Sequence, residues 1–285
     1  MTNEQQLPID LQRIEASIKS HPRVRERVRE VLFFEKVEST NKTALQMGAA
    51  GLPSGVVILS DEQTQGVGRL NRTWISPKGV NLYLSLLLRP YQPIREFPLF
   101  SLATALAAVQ AIRAVTKLEA VVKWPNDILL NDKKIAGILL EAGNKAGESP
   151  YLVIGIGVNV NWDEADIPKD IADQTTSLKT AVGHVIDRND LVNELLIALS
   201  EQWTFLDKWP SDLLITNLSE VCVTLGKRVR VTTADKTIEG IASGISKEGG
   251  LILQLADNSQ RTIYAGDVTK VNPALPAIPR RNWSS

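Results

Sequence analysis

The sequence predicts an α+β protein: a mixed, mainly antiparallel sheet with packed helices, followed by a small C-terminal β-barrel of the SH3 type. Three observations carry this reading. Short strand-like runs follow one another between 120 and 160 with only turns between them, which indicates antiparallel pairing rather than βαβ crossovers. Two helical segments, 97–115 and 189–209, are long and apolar enough to cover such a sheet. From about 222 the texture changes to alternating apolar and polar residues broken by turn signals, the pattern of a small all-β unit.

The elements follow in order. Ile9, Leu11, Ile14 and Ile18 recur at helical spacing, so residues 9–19 read as a helix. The next stretch, HPRVRERVREV, has Arg at 23, 25, 27 and 29 alternating with Glu26 and Glu30. That reads as a solvated helix or linker, too short for a winged helix-turn-helix. A strand covers 31–37. Ser39, Thr40 or Asn41 caps a helix over 42–50, ended by Gly51 and Pro53. VVILSDEQ (56–63) starts as a buried strand, 64–79 is a loop bearing Gly and Arg, and LYLSLLL (82–88) is a strand closed by Pro90. The segment 97–115 is apolar nearly all round and belongs in the interior. Strands follow at 120–124, 127–130, 135–143 and 151–160. The 189–209 helix is amphipathic through Leu191, Leu195, Leu196, Leu199, Trp203 and Leu206. In the β unit the turns fall at Ala234-Asp235, Gly249-Gly250 and Asp257-Asn258. Four regions result: an N-terminal helix or linker (1–30), a main domain (31–220), the barrel (221–271) and a Pro-rich, flexible tail (272–285).

Composition narrows the function. The 32 Lys and Arg balance 32 Asp and Glu, so the whole-chain charge offers no attraction to nucleic acid. Cys222 is the one cysteine, so no intrachain disulfide forms and a reducing compartment is expected. No run of ~18 apolar residues occurs, and the polar N-terminus lacks the apolar core of a signal peptide. A cytoplasmic protein with no membrane and no nucleic-acid partner is expected. His21 and His184 are the only histidines, too few with one cysteine for a closed His/Cys zinc site. Catalysis would rest on Lys, Arg, Asp and backbone groups, with a hard oxygen-bound metal such as Mg²⁺.

Three segments carry chemistry. In DEQTQGVGRLNRTW (61–74), Gly66 and Gly68 free the backbone to approach a ligand. Arg69 and Arg72 suit phosphate or carboxylate, and Trp74 offers an aromatic face. The pattern lacks the third glycine of a dinucleotide fingerprint, and no P-loop motif occurs. In KWPNDILLNDKKIAGILLE (123–141), Pro125 breaks the chain between two strands and leaves Lys123, Asn126 and Asp127 at a strand end. Asp127 can orient an amide or amine or hold Mg²⁺, and Lys134 is a strand-borne point charge for a phosphate; NDKK is ordinary turn chemistry. In GIGVNVN (155–161), glycines inside an apolar strand imply close backbone approach or a bulge. Asn159 is either a satisfied core asparagine or a contact for a ligand base or carboxamide.

Taken together, these segments resemble the biotin protein ligases, which join biotin to the biotin carboxyl carrier domain of acetyl-CoA carboxylase and its relatives. Four blocks match in order: S39-T40-N41; Q63 with G66-x-G68-R69-x-x-R72-x-W74; K123-W-P-N-D127 leading through Lys134 to A136-G137-I138-L139-x-E141; and G155-x-G157-x-N159-x-N161. The resemblance spans about residues 31–270 and is to the monofunctional form without a DNA-binding domain. Val67 stands where the family often has Arg, which removes one charge from the loop, and Asn71 where it often has Gly.

The resemblance implies a class II synthetase-like catalytic domain and a two-step ATP-dependent reaction through biotinyl-5′-AMP. ATP and Mg²⁺ would be the cofactors, biotin the substrate and a biotin carboxyl carrier protein or domain the partner. The enzyme would be a monomer or homodimer. Ser39, Thr40 and Gln63 would bind the ureido ring of biotin, with Gly66, Gly68 and Gly137 beside it. Arg69 would meet the biotin carboxylate and phosphate, and Arg72 would contact phosphates. Trp74 would pack near the adenine, with Asn126 and Asn159 on the nucleotide. Lys134 would bridge carboxylate and α-phosphate, and Lys123 and Asp127 would line the reacting centre. The rival readings are a lipoate-protein ligase, which has a related fold and reaction, and a biotin-responsive regulatory binding protein, which would need a DNA-reading domain.

Overall fold

The structure, a computed structural model, describes residues 8–144, 150–206, 212–233 and 235–271. The expected tail, the last residues of the 189–209 segment and Ala234 lie outside the described residues. The chain runs α1 (Leu11–Ser20), α2 (Pro22–Arg27), β1 (Glu30–Phe34), α3 (Thr40–Ala49), β2 (Val56–Ser60), β3 (Leu82–Leu88), α4 (Phe97–Thr116), β4 (Val121–Lys123), β5 (Asp127–Leu130), β6 (Lys133–Gly143) and β7 (Tyr151–Val158). It continues through α5 (Leu178–Val182), α6 (Arg188–Leu206) and α7 (Asp212–Val221). Strands β8 (Arg228–Thr232), β9 (Thr237–Ile245), β10 (Leu251–Gln254), β11 (Gln260–Ile263) and β12 (Asp267–Lys270) complete it.

The first seven strands form one sheet in the order β1-β2-β3-β7-β6-β5-β4. Only β1 and β2 pair in parallel; the remaining neighbours are antiparallel. The expected fold class stands, and the centre of the sheet follows from sequence. All seven residues of β3 are buried, as a strand covered on both faces requires. Period-2 alternation divides the faces. Leu82, Leu84, Leu86 and Leu88 of β3 join the large core with α4 and α6, while Leu87 joins a smaller cluster with Ala44 of α3 and Tyr151 of β7.

Register then aligns the face that looks away from α4. Tyr83 pairs with Gly157, Gly157 with Gly137, Gly137 with Asp127 and Asp127 with Lys123. One row across five strands thus carries Lys123, Asp127, Gly137 and Gly157, all singled out from sequence, together with Tyr83. The row two residues along β3 holds Ser85, Gly155 and Leu139.

Several boundaries differ from expectation. Strand β1 stops at Phe34 rather than 37; Val37 makes only an isolated bridge to Gln63. Strand β2 stops at Ser60, whose hydroxyl turns back to the Glu62 carbonyl at 2.8 Å, so Gln63 is a loop residue. Helix α3 begins at Thr40 because Ser39 is its cap. Helices α5 and α7 were not anticipated; α5 is a single short turn capped by Ser177, and α7 buries only Leu214 and Leu218.

The arginine-rich segment read as a solvated helix or linker is packed instead. Its arginines 23, 25 and 29 are exposed, while Val24 and Val28 between them enter the main core with Ile14. Asp10 accepts the Arg13 amide as the cap of α1, and Arg13 forms ion pairs with Asp187 and Asp190.

The last five strands form an antiparallel sheet in the order β11-β10-β9-β8-β12, the expected SH3-like unit. Its core residues Val229, Val231 and Leu251 belong to the same cluster as α4. Trp124, 1% exposed, fastens the two units: its backbone N–H donates to Thr224 Oγ1 at 3.0 Å and its indole N–H to the Gly249 carbonyl at 3.1 Å. The segment Ile94–Thr116 is long and apolar enough to cross a membrane, contrary to the expectation that no such segment exists. In this fold it is the central core helix, with thirteen buried residues in α4.

Candidate active site

The 64–79 loop folds as a tight hairpin. Gly68 N–H donates to the Arg72 carbonyl at 2.7 Å and Trp74 N–H to Gly66 at 2.8 Å. The turn passes through Leu70 (φ 55°) and Asn71 (φ 57°). Asn71 therefore occupies the left-handed region that asparagine tolerates best after glycine. Val67 bridges Thr73 across the hairpin. A side chain at Gly66 would put its Cβ 2.3 Å from the Trp74 carbonyl, so that position must stay bare for the hairpin to close.

Beneath the hairpin lies a cavity of about 480 Å³. Of the fourteen residues proposed from sequence, thirteen line it; Gly66 does not. A larger cavity of about 870 Å³ lies elsewhere, between α1, β1 and α6, and contains none of them.

At one end the walls are neutral and polar. Gln63 Oε1 accepts the Thr40 amide at 2.9 Å, and Gln63 Nε2 donates to Ser76 Oγ at 2.9 Å, which reaches the Trp74 carbonyl at 2.9 Å. Asn41 packs where Gly155 has no side chain: a Cβ there would lie 2.1 Å from Asn41 Oδ1. Ser39 accepts the Lys42 amide at 3.5 Å as the helix cap.

At the other end the walls are cationic. Lys134 Nζ is 2.5 Å from Asp127 Oδ1 and 5.4 Å from the centre of the Trp74 ring. Trp74 lies flat against the sheet because Gly157 and Gly137 leave room: a Cβ at Gly157 would be 2.5 Å from the indole nitrogen. Arg69 donates to Asn126 Oδ1 at 3.0 Å and to the Gly266 carbonyl at 3.4 Å. Burial pulls its guanidinium below the ordinary value against Asp267 and Asp127, which raise it; it stays charged. Arg72 pairs with Asp267 of the barrel. Asn126 also donates to the Ile138 carbonyl at 2.9 Å, so both ends of its amide are engaged. Asn159 donates to the Thr176 carbonyl at 3.1 Å, while its Oδ1 and Trp74 Nε1 are buried with no partner among the described residues.

Sequence reasoning missed Asp267, Ser85 and Ser76. Asp267 comes from another domain, and Ser85 and Ser76 are ordinary serines with no motif around them. Gly155 and Gly157 were legible as points of close approach, although not what approaches them.

The chain is similar to known proteins over both of its units. Residues 33–159 match the biotin/lipoate A/B protein ligase family and residues 224–271 the biotin protein ligase C-terminal domain. The chain is 33% identical to the bifunctional ligase/repressor BirA of Bacillus subtilis, covering 84% of this chain and 73% of that protein. It is 32% identical to the biotin–[acetyl-CoA-carboxylase] ligase of Mycobacterium tuberculosis, covering 81% of this chain and 85% of that one. Among solved structures, the biotin protein ligase of Aquifex aeolicus in complex with biotin and ATP superposes with a TM-score of 0.73 at 27% identity, covering 85% of this chain and 98% of that one. A catalytic fold with a two-ended ligand cavity and an SH3-like barrel defines the class, and the chain belongs to the biotin/lipoate A/B protein ligase family.

Proposed function

We propose that this chain activates biotin with ATP as biotinyl-5′-AMP and transfers it to a lysine of a biotin carboxyl carrier protein. The observation that carries the reading is the two-ended cavity. Ser39, Thr40 and Gln63 offer hydrogen bonds at one end, and Lys123, Lys134, Arg69 and Arg72 offer positive charge at the other. A ureido ring with N–H and C=O groups needs the first, and a carboxylate meeting a triphosphate needs the second. Lipoate's dithiolane makes no use of the polar end, which favours biotin over the lipoate-ligase alternative. The relatives named as biotin–[acetyl-CoA-carboxylase] ligases support the same choice.

In the first step a biotin carboxylate oxygen bonds to the α-phosphorus and the bond to pyrophosphate breaks. The carboxylate is already ionised at neutral pH, so no general base is needed. The obstacle is repulsion between anions, which preorganised cations relieve. Lys134 is assigned to the carboxylate and α-phosphate, Arg69 and Arg72 to the phosphates, and Trp74, Asn126 and Asn159 to the nucleotide. Among the described residues no three His, Cys, Asp or Glu side chains gather as a metal set. Mg²⁺ is therefore assigned to the phosphate oxygens, where it would neutralise charge.

In the second step the carrier lysine amine bonds to the acyl carbon, AMP leaves, and the amine loses a proton. Asp127 is assigned to accept or orient that proton, with Lys123 beside it. Closing the hairpin over the mixed anhydride keeps water from it. We place the reaction in the cytoplasm, in keeping with a single buried cysteine and no disulfide. The test is incubation with MgATP, a carrier domain and either biotin or lipoate. A mass gain equal to biotin on the carrier lysine supports the proposal; a gain with lipoate alone overturns it.

A further inference from the structure

We infer that Arg188, a buried residue outside the cavity wall, is a positioning residue that clamps both feet of the segment carrying Gln63, Arg69, Arg72 and Trp74 and so holds that segment over the cavity. The inference rests on the reading that these residues face biotin and ATP.

The segment is the connection between β2 and β3, which pair antiparallel as far as Ser60 and Tyr83. Asp61 is the first residue after β2 and Asn81 the last before β3. Arg188 opens α6, is 3% exposed and is not among the residues lining the cavity. Its Nη1 donates to Asp61 Oδ1 at 2.8 Å and to the Asn81 carbonyl at 3.1 Å. One nitrogen carrying two protons therefore spans the two ends of the connection. Further bonds close the base above it. Gly79 N–H donates to the Asp61 carbonyl at 3.1 Å and Gln63 N–H to the Ser76 carbonyl at 3.4 Å, and the Tyr83 hydroxyl donates to the Pro77 carbonyl at 2.9 Å.

Arg188 is itself held from both sides. Before it, Asn161, the last asparagine of the GIGVNVN block, pairs with both backbone groups of Ile186: its Oδ1 accepts the Ile186 N–H and its Nδ2 donates to the Ile186 carbonyl, each at 2.8 Å. The Asn161 N–H donates to the Val80 carbonyl at 2.8 Å, next to the foot at Asn81. After it, Asn189 accepts the Asp10 amide at 2.7 Å and donates to the Pro8 carbonyl at 2.9 Å, so the start of α1 fixes the start of α6.

A buried ion pair adds little net stability, because desolvation of both charges offsets their attraction. What it does supply is direction, since charge-assisted bonds are short and well aligned. The Gly66–Trp74 hairpin stands on this base, so a shifted base moves Gln63, Arg69, Arg72 and Trp74 together. A displacement of ~1 Å at a reacting centre can cost roughly 10²-fold in rate.

The experiment compares wild type, Arg188→Met and the double variant Asp61→Asn/Arg188→Met. Methionine removes the clamp at similar length. Asparagine at 61 removes the carboxylate that the single variant strands, so the double variant regains most of the stability lost in the single one. Each protein is measured by thermal melting, by trypsin cleavage after Arg69 and Arg72, by KM for ATP, and by the ratio of AMP released to carrier biotinylated. In both variants, cleavage after Arg69 and Arg72 should rise roughly tenfold relative to cleavage elsewhere, the effect of one lost hydrogen bond. KM for ATP should rise by about the same factor. AMP release should exceed biotin transfer, because a displaced hairpin admits water to the mixed anhydride. That ratio is independent of the folded fraction, so it decides the matter for a variant that folds poorly. A double variant with wild-type cleavage, KM and ratio overturns the inference, as does an activity loss that follows the melting temperature at an unchanged ratio; Arg188 would then be a structural ion pair alone. Wild-type protein that labels no carrier with biotin fails the underlying reading instead, while cleavage after Arg69 and Arg72 still decides whether Arg188 holds the hairpin.

Discussion

Lys134 Nζ sits 2.5 Å from Asp127 Oδ1, so the cation proposed to meet the phosphate and the carboxylate proposed to meet the amine neutralise each other. The pairing is a product of the sheet: Asp127 opens β5, Lys134 lies next to the start of β6, and a register irregularity after Ile128 brings their side chains to the same face. An incoming triphosphate would draw Lys134 away and leave Asp127 free for the second step.

Lys134→Ala should therefore reduce adenylate formation by roughly 10²–10³, the usual effect of removing one electrostatic stabiliser. Asp127→Asn should leave adenylate formation nearly intact and slow transfer from preformed adenylate by roughly 10². Pyrophosphate release and single-turnover carrier labelling separate the two. Equal loss in both steps for Asp127→Asn would remove it from the transfer role.

Gly157→Ala should impair nucleotide use without unfolding the protein. The new methyl would lie 2.5 Å from Trp74 Nε1, and the indole, unlike the sheet, can move. We expect KM for ATP to rise about tenfold or more, in line with loss of one aromatic contact, and the intrinsic fluorescence of Trp74 to shift toward an exposed position. Unchanged ATP kinetics would show that Trp74 does not face the nucleotide.

The barrel should be inseparable from the catalytic domain in stability. Thr224→Val leaves the buried Trp124 amide without its acceptor and should cost about 1–3 kcal/mol in urea unfolding. Truncation before Cys222 additionally uncovers Trp124 and strips Asp267 and Gly266 from Arg72 and Arg69. A truncated chain with native melting behaviour and turnover would refute this.

The N-terminal helix should confer acid-sensitive stability. Burial pushes Asp187 upward, but hydrogen bonds from Arg13 and Asn189 outweigh it and hold its carboxyl below the ordinary range. A carboxyl lowered on folding stabilises the fold above its unfolded value, near 4, and that contribution is lost as pH falls through the lower folded value. Arg13 is 43% exposed, so solvent screening limits the pair to about 0.5–1 kcal/mol. Arg13→Ala should lower stability by that amount at pH 7, and the difference should shrink below pH ~4; urea titrations at pH 7 and 3 measure both.

By itself the sequence determined the local elements and the chemical character of the site. The leucine-rich seven-residue run of β3, the apolar α4, the GVGR and KWPND blocks, and glycines in an apolar strand are all local patterns, and each led to the correct element or cavity wall. Only the tertiary structure decided which distant groups meet. Asp267 reaches Arg72 across 195 residues; Ser85 meets Asn41 across 44; Trp74 settles on Gly157. Those encounters depend on strand order and register, and register is settled by filling both faces of the sheet at once. The same cause drew Val24 and Val28 from a charged stretch into the core, because a helix buries whatever side chains face its neighbours, whatever the charge of the segment around them.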